Sequence, residues 1–253
     1  MPRLARSQIL AATLLVLAAP ALLAEDGGAA HQSPPHSPVI LVGFVGGFVR
    51  HTNLHHGPVF LARHMHQDAP KDAHIQVFEN RHRKTAYETI LRLLDSNRDG
   101  VLSNAEKAQA RIILFGQSWG GSAVVLLARE LDRAGIPVLL TVQVDSVAKP
   151  FENDGVIPDN VAAAANFYQP HGIVHGRSMI RAEDDSKTEI LGNYRLDYQH
   201  STMKCEGMPW LERTFIPGHM HTECDTQLWG RVESLVRQRL EPDPPSVATA
   251  PQL

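Results

Sequence analysis

The sequence predicts an α/β domain with a mostly parallel central sheet and helices on both faces. Two observations carry this. Short apolar runs of strand length alternate with longer segments whose apolar residues recur at helical spacing, and the alternation persists from Val39 to Leu240 without an internal repeat. Strands that read as continuous apolar runs belong in a sheet covered on both faces, which is how parallel sheets are built. At 253 residues and 43% hydrophobic, the chain can also fill one sizeable core.

The elements follow in order. VILVGFV (Val39–Val45) is a buried-type strand that runs into glycines, VFLARHMHQ (Val59–Gln67) is a helix, and HIQVF (His74–Phe78) is a strand. TAYETILRLL (Thr85–Leu94) places Tyr87, Ile90, Leu91 and Leu94 on one helical face. RIILF (Arg111–Phe115) is the next strand, and a helix runs from about Gly120 to Ala134, where Gly135 closes it. PVLLTVQVD (Pro137–Asp145) is again a strand. After Pro158, VAAAANFY is expected as a short helix, RTFIP (Arg213–Pro217) as a late strand, and Thr226–Leu240 as the closing amphipathic helix.

The flanks differ in composition. Arg3 and Arg6 precede the apolar run Ile9–Ala19, with small residues through Ala24. That is the order of a secretory signal over residues 1–24, cleaved near Ala24, and it implies a secreted or periplasmic protein. The run is shorter than the roughly 20 residues of a membrane-spanning helix, so no stable span is expected. Residues 25–37 read as a flexible leader, 38–240 as the domain and 241–253 as a disordered tail. In an oxidising compartment Cys205 and Cys224 can form one bridge, with two buried thiols as the alternative. A net charge of −3, from 24 basic and 27 acidic residues, gives no reason to expect nucleic acid as a partner. Nothing in the sequence calls for an organic cofactor or sets the number of subunits.

One turn carries chemistry. Gly116-Gln117-Ser118-Trp119-Gly120 is a G-x-S-x-G motif lying directly between an apolar strand and a helix rich in small residues. Such a turn holds its serine in a strained conformation with the hydroxyl exposed, and its glycines let strand and helix approach closely. On this motif and the element order, the chain from Pro38 to Leu240 resembles the α/β-hydrolase superfamily in its lipase, esterase and thioesterase-like branch. The resemblance implies a serine nucleophile followed by an acid and then a histidine. Asp145, at the end of the following strand, is the preferred acid, with Asp184 and Asp185 as rivals. His219 is the preferred histidine, in the loop between the last strand and the closing helix, with His221 as its rival. The oxyanion donors implied are the backbone amides of Trp119 and of Phe44, with Val45 next in line. Many members carry His-Gly where this chain has Val42-Gly43, so the loop after the first strand departs from the family pattern. The chemistry implied is cleavage of a small-molecule or lipid ester, or a thioester, through an acyl-enzyme.

A second motif lies just upstream. Asp95 to Glu106 (DSNRDGVLSNAE) fits D-x-[DN]-x-[DN]-G-x₅-E at every fixed position, as an EF-hand calcium loop does. The ligands would be Asp95, Asn97, Asp99, the Val101 carbonyl, Ser103 and a bidentate Glu106, with Gly100 at the sharp turn. A lone loop of this kind suits a structural clip. Its competing reading is an ordinary polar turn followed by the capping box Ser103-x-x-Glu106. Two further classes compete with a serine hydrolase: a non-catalytic calcium-binding or scaffold module, and a zinc-dependent hydrolase using His64, His66 and Asp68, with His171 and His175 as a spare pair.

Overall fold

The structure, a computed structural model, describes residues 38–69 and 72–241. The expected signal segment 1–24, the leader 25–37 and all but the first residue of the tail lie outside the described residues.

The chain runs through Val39–Val45 (β1), Gly57–Asp68 (α1), His74–Glu79 (β2), Arg83–Leu94 (α2) and Asn104–Ala108 (α3). Arg111–Gln117 (β3) leads into Trp119–Arg133 (α4) and then Leu140–Val144 (β4). Val156–Ile157 (β5), Ala163–Tyr168 (β6), Arg181–Ala182 (β7) and Glu189–Arg195 (β8) follow. Three helices close the fold: Trp210–Phe215 (α5), Pro217–Cys224 (α6) and Thr226–Leu240 (α7). The main sheet has the order β2-β1-β3-β4-β6-β8, and every neighbouring pair in it is parallel. β5 and β7 form a separate two-stranded ribbon.

The two-residue period of a strand divides the core cleanly. On β1, Val39, Leu41 and Val45 pack with α1 and α7, whereas Ile40, Val42 and Phe44 pack with α2 and α4. β3 repeats the division, with Ile113 and Phe115 on the first face and Ile112 and Leu114 on the second. The expected doubly covered parallel sheet is therefore present. Trp229 anchors the first layer and leaves no space beside Gly57, where a side chain would overlap its indole. Because all strands run the same way, their C-terminal ends share one edge, where the connecting loops gather.

Two expected elements are corrected. VAAAANFY was expected to be helical, but Ala163–Tyr168 is the strand β6, paired with β4 on one side and β8 on the other. Alanine's helix preference amounts to a few tenths of a kcal/mol per residue over most residue types. Here Ala163, Ala164 and Ala165 are fully buried, and pairing on both edges outweighs that preference. The expected strand Arg213–Pro217 is absent as well: its first residues end α5, and Pro217 opens α6 at the position where a missing N–H is harmless. β8, partly exposed and without a clear signal in the sequence, takes the sheet edge instead.

Candidate active site

β3 ends on Gln117 and α4 begins on Trp119, so Ser118 alone must turn the chain. It does so with φ 56° and ψ −127°, a region that costs a non-glycine residue about 1–3 kcal/mol. Its neighbours enforce the turn. A Cβ on Gly116 would overlap the backbone of Gly120, one on Gly120 would overlap the Phe44 carbonyl, and one on Gly46 would lie 2.7 Å from the Ser118 Cβ. An N-terminal serine ordinarily caps its helix with its hydroxyl. Ser118 makes no such bond. Its Oγ instead lies 2.9 Å from His219 Nε2.

Asp145 follows β4 and also has positive φ, at 43°. Its amide donates to the Phe167 carbonyl, which turns the side chain over the sheet edge. The carboxylate is fully buried and receives four donors: the Gln169 and Gly176 amides, the Gln169 side-chain amide, and His219 Nδ1 at 2.6 Å. Four donors fill the acceptor capacity of an ionised carboxylate, so the charge is hydrogen-bonded although it is dry. Gly176 must be glycine here, since a Cβ would fall 2.5 Å from Asp145.

The structure thus brings Ser118, His219 and Asp145 into one chain of contacts. His219 is not in a loop after a last strand, as expected, but on α6. There the Thr222 hydroxyl donates back to the His219 carbonyl at 2.7 Å, and Gln117 Nε2 reaches both Thr222 Oγ1 and His219 Nε2. Cys205 and Cys224 are bridged, as expected under the first alternative, and the closed loop contains α5 and His219. The rivals lie elsewhere. His221 stacks edge-on against Tyr198, while Asp184 accepts from Ser186 and pairs with Lys187 at the surface, next to exposed Asp185.

A cavity of about 590 Å³ opens over Ser118. Trp119 lines it at the first position of α4, where a helix has an unpaired amide. Phe44 does not line it. It is fully buried inside β1, paired with Phe78 and Gly116 on either side, and Val45 is likewise buried in the strand. The strand has the expected bounds, and its backbone up to Val45 is committed to the sheet; the residues that reach the cavity from this side begin with Gly46, Gly47 and Phe48. They form a turn closed from Val49 N–H to the Gly46 carbonyl. Asn80 holds this turn by donating to the Val45 and Gly47 carbonyls, and Lys149 donates to Asn80 in turn. Asn80, Gln169 and Gly176 carry no motif in the sequence; the one available signal was that Asn80 and Gln169 each follow the last residue of a strand.

The Asp95–Glu106 loop lies away from this cavity and holds itself together. Asp95 accepts from the Asp99 and Gly100 amides, Asp99 from the Val101 amide, and Gly100 has φ 83°. Glu106 spends one oxygen on Ser96 and the other on Ser103, in a complete capping box. Those bonds, the Ser103 amide first, hold its carboxyl down at about 2. Among the described residues no group of three or more His, Cys, Asp or Glu side chains is placed to hold a metal ion. Three of the zinc candidates are engaged elsewhere: His64 packs on Phe60 and faces Glu233, Asp68 pairs with Arg237, and His171 faces Asp197. No described helix is long and apolar enough to cross a membrane.

No protein-family model matches the chain, and no curated protein matches it. Among solved structures it is similar to RedJ, a thioesterase from the prodiginine biosynthetic pathway in Streptomyces coelicolor, at 13% identity and TM-score 0.34, over 81% of this chain and 97% of that one. It is also similar to a hyperthermophilic esterase from the archaeon Pyrobaculum calidifontis, at 11% and 0.41, over 79% and 76%. A third is human thioesterase 2, at 8% and 0.41, over 82% and 99%. At such identities and scores the likeness carries no argument about chemistry. The fold stands on its strand order, and the site on its distances.

Proposed function

We propose that the protein is a serine hydrolase that cleaves carboxylic esters or thioesters through an acyl-enzyme. The observation that carries this is the unbroken line Asp145–His219–Ser118, at 2.6 and 2.9 Å, ending on a serine held at positive φ over a cavity. Asp145 accepts the Nδ1 proton of His219, which leaves Nε2 as the acceptor for the serine proton. As Ser118 Oγ attacks the carbonyl carbon, its proton passes to Nε2, and the carbonyl electrons move onto oxygen. The Trp119 amide, at the positive end of α4, is one donor for that oxyanion, and a backbone amide within Gly46–Phe48 supplies the second. The imidazolium returns its proton to the leaving alcohol or thiol. Water, deprotonated by the same nitrogen, then clears the acyl group.

A fluorophosphonate probe tests the reading. A single adduct on Ser118 of the folded protein, lost in Ser118→Ala, is the expected result, and no adduct on native protein overturns it.

Two further readings belong to this proposal. The Cys205–Cys224 bridge supports export, because such bonds persist in oxidising compartments. N-terminal sequencing of the exported protein should find a start near residue 25, and full-length protein retained in the cytoplasm would contradict it. The Asp95–Glu106 loop is proposed to take calcium, supported by the complete sequence match and by the positive φ of Gly100. Glu106 would have to leave Ser96 and Ser103 to ligate, which favours weak binding. At tenfold saturation calcium adds about 1.4 kcal/mol to stability. A melting midpoint that is the same in chelator and in millimolar calcium removes the calcium reading and leaves the hydrolase untouched.

A further inference from the structure

A second histidine–carboxylate pair lies in the wall of the same cavity. His56 and Glu223 both line it and both are more than nine-tenths buried. His56 Nδ1 lies 3.1 Å from Glu223 Oε1 but has no aligned hydrogen bond. Glu223 uses its other oxygen to accept the Gly57 amide at the start of α1. Of the two, His56 Nδ1 is the atom left buried without a hydrogen-bond partner among the described residues. Buried polar groups are almost always hydrogen-bonded, so a buried imidazole nitrogen whose ion-pair contact to Glu223 is not an aligned hydrogen bond, facing a cavity, points to a ligand that completes the pair. Nothing in the acyl-transfer chemistry above uses either one.

We infer that His56 and Glu223 form a subsite for a free hydroxyl on the substrate, remote from the bond that is cleaved; this rests on the hydrolase reading. A hydroxyl is both donor and acceptor. It can donate to Glu223 Oε1 and meet whichever form of the imidazole that carboxylate selects. An alkyl group would leave His56 Nδ1 without a hydrogen bond, and a carboxylate would face the carboxyl group of Glu223. Arg50, in the same cavity, opposes a second cation. Glu223 also lies one helical turn beyond His219 on α6, so substrate held there is held by the helix that carries the base.

The test compares butyrate monoesters of ethanediol, butanediol and hexanediol with propyl, pentyl and heptyl butyrates, in which a methyl replaces the hydroxyl. Methyl hydroxyhexanoate against methyl heptanoate places the difference on the acyl side. Wild-type protein should prefer at least one hydroxylated ester by about 10- to 100-fold in kcat/KM, the worth of a hydrogen bond to a charged partner. In His56→Phe and in Glu223→Gln that ratio should fall toward one. A purely structural pair would lower stability and slow both esters equally, with the ratio kept, and this outcome overturns the inference. So does a wild-type ratio near one for every pair, or a preference for an amino group in place of the hydroxyl. If both variants fail to fold, inhibition of wild-type protein by hexanediol against hexanol decides: tighter binding of the diol supports the subsite, and equal binding sinks it. Alkyl esters hydrolysed with a Ser118 adduct but without hydroxyl preference sink the subsite alone. No adduct and no hydrolysis sink the hydrolase and the subsite together.

Discussion

The turn Gly116–Gly121 and the loop Asp95–Glu106 stand only a short helix and one strand apart, and each holds a residue at positive φ. They are stabilised by opposite means. At the turn, every added Cβ would strike backbone or side chain, and Ser118 is a serine in a conformation that suits glycine. At the loop, Gly100 has nothing within 4 Å of where a Cβ would stand, and the shape comes from the loop's own carboxylates accepting its own amides. Packing over-determines the first, so it can store strain and aim a hydroxyl. Local hydrogen bonds hold the second, so it keeps its shape but is free to exchange partners. A reactive centre needs the former, and a clip for a weakly held ion is compatible with the latter.

Four variants break or sharpen this contrast. The largest effect is expected from Ser118→Ala, which should lower kcat on any ester substrate by about 10⁴-fold or more. Its melting temperature should stay close to that of the wild type, because the turn is enforced by its neighbours. A large loss of stability would show that the hydroxyl, not the glycines, holds the turn. Gly120→Ala comes next. Its Cβ has no space against the Phe44 carbonyl, and overpacking there should cost about 3 kcal/mol in a urea titration, together with activity. An unchanged urea midpoint would refute the packing account. The double change Cys205→Ala with Cys224→Ala opens a loop of sequence separation 19. It should cost about 3 kcal/mol and loosen α6, so that kcat falls while probe labelling slows. Unaltered labelling would mean that α6 is held without the bridge. Gly100→Ala is the mildest. With open space around it, only the left-handed backbone conformation is penalised, about 1–2 kcal/mol in the same titration. A cost as large as that of Gly120→Ala would erase the distinction between the two regions.

The sequence made much of this visible, for identifiable reasons. The turn at Ser118 was legible because the motif sits between two strongly periodic elements, and Asp145 was preferred because it closes the next strand; His219 was preferred for following a strand that does not form, and stands on α6 instead. β6 was misread because alanine favours helices in isolation, and only neighbours on both edges reverse that. Phe44 was preferred because the resemblance asks for a donor in the GFVGG stretch, but Phe44 and Val45 are inside the strand, where pairing with β2 keeps the backbone in the sheet to Val45. The pair His56–Glu223 left no signal at all, since 167 positions in sequence separate partners that a helix start and a helix end bring together.

What the sequence by itself determined, therefore, is the alternation of elements, the turn that carries Ser118 and the composition of the Asp95–Glu106 loop. All are local, set by periodicity, glycine placement and turn chemistry within a few residues. What only the tertiary structure decided is which histidine and which acid meet the serine, which backbone turn faces it, and what else lines its cavity. Those depend on contacts between distant segments, where burial and pairing on both sides of a strand outweigh any preference a short segment has alone.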